Sequence, residues 1–202
     1  MLRGHMADKA IFSEIFGSMD MSVRARKINA FHPDMTVVIH YNVNEKNTGW
    51  TKTTDKDFVM TFVGGCVTSK DLKTLAGRLN LLRLLISPDI ENSVKLCSYA
   101  VNHLSADLNV PVAKKTDATY LNERCLATPV VGVYSRDLAL TRLIKGPLVY
   151  GEPLYQDNAK ECTMLSGYCD KIAGANTPTR LELVADAYYK AIEDYVASSQ
   201  KK

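Results

Sequence analysis

The order of apolar and polar positions changes period several times along the chain, and each change predicts an element. Residues 35–43, MTVVIHYNV, are dense in β-branched side chains and predict a strand; residues 58–63, FVMTFV, predict a second. The polar, turn-rich stretch NEKNTGWTKTTDKD between them predicts that the two strands pair as an antiparallel hairpin with a long loop. Beyond it the period becomes helical. Leu72, Leu75, Leu79, Leu82 and Ile86 recur at three- and four-residue steps, forming one apolar stripe that Ser69 is placed to cap. Lys70, Lys73 and Asn80 fall opposite that stripe, with Arg78 and Arg83 on its flanks. Leu81, Leu84 and Leu85 interrupt the polar side, so the last turns are either enclosed or meet another chain.

Ser87 and Pro88 end this helix, and Val94, Leu96, Cys97, Val101 and Leu104 predict another over 90–108. The stretch 109–125 is polar and punctuated and reads mostly as loop. A short buried strand is expected over 130–134, mixed helical spacing over 136–145, and turn, strand and turn in GPLVYGEPLY. The last fifty or so residues read as two helices, over 157–173 and from Thr177 and Pro178 onward, the second with Leu181, Val184, Tyr188, Ile192 and Tyr195 as its core stripe. At the other end, DKAIFSEIFG predicts a short amphipathic helix closed by Gly17, followed by MSVRARKINAFHP as a basic connector. Strands first and helices later predict the α+β class: an N-terminal antiparallel hairpin packed with a predominantly helical body and C-terminal helices. The expected organisation is an arm over 1–34, a core over 35–155 and a helical segment of the same domain over 156–202.

Composition narrows this picture. A chain of 202 residues that is 46% hydrophobic and 23% charged can bury a core without a disulfide or metal staple. The five cysteines include no CxxC pair, which argues against a disulfide framework or zinc site and for a reducing compartment. No signal peptide is visible, and the apolar stretch 79–86 is broken by Asn80 and Arg83 and too short for a membrane span. The expected location is intracellular, cytoplasmic or nuclear, with a membrane surface or a virion as further addresses. A net charge of +3 is too small to argue nucleic acid alone.

The candidate chemistry is sparse. FVGGCVTSKD runs from a strand through two glycines towards a helix, as a phosphate-binding loop does, but Ser69 stands where that loop needs glycine and Asp71 where it needs a hydroxyl. Cys66 lies near a helix start, yet His5, His32, His40 and His103 occur in no local signature that would activate it, and no spacing selects a metal site. No catalytic residue and no cofactor are therefore expected. Basic groups carry more weight: Arg24, Arg26 and Lys27 form one cluster, Lys70, Lys73, Arg78 and Arg83 decorate one helix, and Lys46 and Lys52 flank Trp50 in the long loop. Lysines around an aromatic ring suit an anionic polymer or a membrane surface. By elimination the sequence predicts a non-enzymatic assembly protein, viral matrix-like or nucleocapsid-like in character. It would self-associate through Leu81, Leu84 and Leu85 and bind RNA or an anionic membrane surface through the basic groups. The alternatives are an enzyme or binding protein for a phosphorylated small molecule seated on the 64–70 turn, and a helical adaptor that docks a protein partner.

Overall fold

The computed structural model describes residues 20–47, 49, 51–167, 169–172 and 175–199. The helix expected over 8–17 and the side chain of Trp50 lie outside them. Helix α1 (Met21–Ala30) is followed by β1 (Thr36–Ile39), β2 (Met60–Val63), a 3-10 turn (Asp71–Lys73), α2 (Leu75–Ile86) and α3 (Asp89–Leu108). Then come α4 (Thr119–Arg124), β3 (Cys125–Ala127), β4 (Val133–Arg136), α5 (Ala139–Leu143) and β5 (Leu148–Glu152). The chain closes with α6 (Ala159–Ser166), a small hairpin of β6 (Cys169–Ile172) and β7 (Ala175–Pro178), and α7 (Thr179–Ser199). The mixture of helices with a five-stranded sheet is the α+β content expected.

The expected hairpin does not form. The sheet order is β1-β5-β2-β4-β3, so β5 stands between the two strands that were to pair. β1 runs parallel to β5 (Val38 opposite Tyr150), and β5 runs antiparallel to β2 (Met60 opposite Glu152). Burial explains the order. Every residue of β2 and β5 is buried, which demands central positions, whereas β1 is only partly covered and takes an edge. The polar loop after β1 is tied instead to the chain after β5: Thr54 N–H donates to the Asp157 carbonyl at 2.9 Å, and the Asp157 carboxylate accepts the Asn44 N–H at 3.1 Å and the Asn47 amide at 2.7 Å.

Two apolar layers enclose the sheet. On one face, Leu96, Ala100, Val101 and Leu104 of α3 and Val184, Ala187, Tyr188 and Ala191 of α7 pack on Val63, Val133 and Val149. Their three- and four-residue spacing is what makes these two helices amphipathic. Contact is closest at Gly151, where an added Cβ would stand 1.9 Å from the Tyr188 hydroxyl. The other face carries Met60, Phe62, Tyr134 and Tyr150 under Ala25 of α1, Leu121 of α4 and Leu140 of α5.

Other local expectations are corrected. The basic connector is helix α1, capped by the Asp20 carboxylate on Ser22 N–H; Ala25 is its only buried residue, so no apolar stripe announces it. α2 begins at Leu75 with Thr74, not Ser69, as its cap. The predicted stripe faces outward, with Leu75 65% and Ile86 76% exposed, because Gly77 and Leu84 form the packed side. The stretch read mostly as loop contains α4 and runs into β3, and the helix expected over 157–173 ends at Ser166 and gives way to β6. Pro178 ends β7 instead of opening α7. No helix among the described residues is long and apolar enough to cross a membrane.

Candidate functional site

The side chains that combine charge, burial and access lie on the α1/α4/α5 face of the sheet. Alternation along β1 and β5 turns Val38 and Tyr150 to that face, and two residues on it turns His40 and Glu152 there too. His40 follows β1 and Glu152 ends the neighbouring parallel β5, at the end where open α/β sheets bind ligands. Glu152 is 3% exposed. Its Oε1 lies 3.5 Å from His40 Nδ1 and 3.9 Å from an Arg136 nitrogen, and its Oε2 has no hydrogen-bond partner. A buried carboxylate oxygen left unpaired costs stability, which makes Glu152 a candidate for a functional role.

Arg136 comes from the far end of β4 and lays its guanidinium back across the face. Its Cζ stands 4.9 Å from the Phe62 ring centre and 4.5 Å from that of Tyr120. Tyr120 is itself fixed: the Asn42 amide donates to its hydroxyl at 2.9 Å, and that hydroxyl reaches Met60 Sδ at 3.1 Å. Burial and then the Glu152 charge push the Tyr120 and Tyr150 phenols up, Tyr150 to about 12, so both stay protonated. Outside the pair of rings opens a cleft of about 340 Å³, lined by Glu45, Thr119, Tyr120, Glu123, Arg124 and Arg136.

The sequence-derived candidates lie elsewhere. Arg26 and Lys27 are exposed and Arg24 half-buried on α1; Lys46 and Lys52 are exposed in the loop after β1. Lys70 and Lys73 are exposed around the 3-10 turn. Arg78 donates to the Leu72 carbonyl at 3.0 Å, and Arg83 bonds Asp89 at 2.7 Å and the Arg142 carbonyl at 2.9 Å, so both serve the fold. Leu84 is buried, Leu81 half-buried and Leu85 exposed. None of these residues lines the cleft.

The 64–70 turn is not a phosphate cradle. The Asp71 carboxylate already accepts the Thr68 hydroxyl and N–H, and it pairs with Arg142 at 2.9 Å. The Thr68 hydroxyl bond is the main reason that carboxyl sits below its ordinary range. The adjoining cavity of about 10 Å³ has room for about one water. Gly65 is required there by its φ of +105°. Burial raises the Cys66 thiol, the opposite of what a nucleophile needs. Among the described residues no group of three His, Cys, Asp or Glu side chains is arranged to hold a metal ion. His40, Tyr120, Arg136 and Glu152 were all missed as site residues. The available signal was an ionisable residue closing each of two β-branched or aromatic strands, TVVI-His40 and LVYG-Glu152.

The fold is similar to that of solved N-acetylmuramoyl-L-alanine amidases. The CwlD amidase of Clostridioides difficile, solved in complex with the GerS lipoprotein, matches with a TM-score of 0.55 and 17% identity over 98% of this chain and 81% of that one. Ami1 from Mycobacterium smegmatis matches with 0.54 and 18% identity over 88% of this chain and 61% of its own. The catalytic domain of CwlV from Bacillus (Paenibacillus) polymyxa gives 0.53 and 12% over 89% and 66%. The chain thus spans about three fifths to four fifths of the amidase structures it resembles. No family model matches the sequence, and no curated protein does.

This likeness in fold to amidases runs against the expectation of a non-enzymatic, matrix-like or nucleocapsid-like assembly protein. It supports neither RNA nor a second copy of the chain as the partner. The physical reason is that the basic clusters, conspicuous along the sequence, stand away from the cleft, whereas the buried charge lies at strand ends that are far apart in sequence.

Proposed function

We propose that the chain is an amide-bond hydrolase, acting on an N-acylated amino acid or peptide of the N-acetylmuramoyl-L-alanine kind. One observation carries the reading: Glu152, buried at the end of a central strand, keeps an unpaired carboxylate oxygen beside His40 and Arg136. Likeness in fold to N-acetylmuramoyl-L-alanine amidases supports the choice of bond.

In this reading Glu152 is the general base. It takes a proton from water as the water oxygen adds to the amide carbonyl carbon. It then returns that proton to the leaving nitrogen as the C–N bond breaks, giving a carboxylic acid and an amine. His40, exposed above Glu152, stands where it can donate to the carbonyl oxygen as charge develops there. Burial of Glu152 strengthens the local electrostatics.

The test is release of alanine from N-acetylmuramoyl-L-alanine by the full chain, followed by mass spectrometry. Release is expected from the wild type and its loss, by at least about a hundredfold, from Glu152→Gln. Absence of release from the wild type, or equal release from the variant, overturns the proposal.

A further inference from the structure

We infer that Arg136 is a receptor for a carboxylate on the ligand, so that the site selects substrates with a free carboxylate close to the bond to be cut. This rests on the hydrolase reading above and names the substrate class of the same site.

Three features of Arg136 lead there. Its guanidinium carbon rests against two rings, at 4.9 Å from the centre of Phe62 and 4.5 Å from that of Tyr120, whose centres are 6.5 Å apart and whose planes are inclined at 51°, so the group is seated in the corner they form before any ligand arrives. That seat is enforced from below, because Asn42 and Met60 fix the Tyr120 hydroxyl. Second, the fork is unspent. The nearest carboxylate, Glu152, forms a loose ion pair at 3.9 Å, beyond hydrogen-bond distance, and the Arg136 side chain donates no hydrogen bond among the described residues. A structural arginine behaves otherwise: Arg180 in the same protein bonds Glu161 through two nitrogens and the Leu108 carbonyl through the third. Third, the side chain is 27% exposed and lines the cleft of about 340 Å³, so a ligand can reach it.

The charges around the cleft fit this role. Glu45 is committed, accepting the Thr119 N–H at 3.1 Å and hydroxyl at 2.8 Å, which holds it below the ordinary carboxylate range. Arg124 adds a second cation to the wall, and Glu123 on the exposed side of α4 stands among the lining residues as the one other acid. A planar carboxylate can take two parallel bonds from the Arg136 fork, whereas a neutral carboxamide can take one at most and brings donors that meet donors. The same bond would draw Arg136 from Glu152 and open the buried carboxylate towards the cleft.

The experiment compares N-acetyl-L-alanine with N-acetyl-L-alaninamide, titrated into the full wild-type chain and followed by NMR. The acid is expected to bind at least about tenfold tighter, from a charge-assisted rather than a neutral contact. Arg136→Gln should erase that preference, and Arg136→Lys, which keeps the charge and loses the fork, should keep only part of it. Equal binding of acid and amide by the wild type overturns the inference without any variant, and so does a preference that survives in a folded Arg136→Gln. The two readings fail separately. A preference for the acid without alanine release removes the hydrolase reading alone, and alanine release without that preference removes this one alone.

Discussion

Replacing Glu152 by methionine should make the protein more stable and catalytically dead. Glu152 is 3% exposed, with Oε2 unpartnered, His40 Nδ1 at 3.5 Å and its nearest cation, Arg136, at 3.9 Å. An attraction of about 4 kcal/mol at 3.9 Å, for an effective dielectric near 20, is met by a desolvation cost of several kcal/mol for burying the ion. The unpaired oxygen adds a penalty of about 1–3 kcal/mol that no contact recovers. Methionine has a straight chain of similar length and brings no polar atom, so the balance favours it by about 1–2 kcal/mol. Arg136 loses a counter-charge but keeps its two rings and its access to water. The assay is urea denaturation at neutral pH, read as a rise in midpoint at constant slope, alongside alanine release. A loss of more than about 1 kcal/mol would show that Glu152 holds the strand ends together, and the argument from its spare oxygen would fall.

Other consequences can be measured independently. Arg180→Met should cost about 3–5 kcal/mol, because it leaves Glu161 buried without its cation, and the double variant with Glu161→Met should recover most of that in the same denaturation assay. Burial, with the nearby Glu161 charge adding to it, pushes Asp57 up from its ordinary 3.8 to about 6. An acid that holds its proton more tightly when folded makes stability fall as pH rises between those two values, by about 1 kcal/mol after allowing for solvent screening; Asp57→Asn should flatten that slope. Gly151→Ala should cost about 1–3 kcal/mol by overpacking against Tyr188. Tyr188→Phe in the same chain should recover only part of it, since the ring carbon still lies 2.8 Å from the new methyl; full recovery or none would refute the contact as the cause.

What the sequence makes legible follows the strength of each periodic signal. The long stripes of α3 and α7 and the β-branched or aromatic runs of β1, β2 and β5 are readable, because each buries a face whose spacing the sequence repeats. α1 is not, since a helix that buries only Ala25 needs no stripe. Neither are α4 and β3, which are held by Leu121 and Cys125 entering the core singly. The leucines of α2 mislead because a periodic apolar face records only that the helix is amphipathic, not which side the rest of the chain covers. The site is the least legible part. Alternation reveals that His40 shares a face with Val38, and Glu152 with Tyr150, but no local feature reveals that the two strands are neighbours.

Strand order is therefore what converts ordinary residues into a site. Had β1 and β2 paired as a hairpin, β5 would have been an edge strand, and a glutamate there would have reached water at no cost. Insertion of β5 between them does three things together. It buries Glu152 under the face that Met60 and Phe62 line. It sets β1 alongside in parallel, so that His40 arrives level with the carboxylate. It also leaves β2 bonded on its other side to β4, whose end delivers Arg136 over Phe62 from the opposite direction. None of the three strand ends carries a recognisable motif, and their separation in sequence is large. The chemistry depends on a pairing that the chain completes only when its last long strand is in place, so a substitution that weakens the β5 contacts should cost activity before it costs the fold.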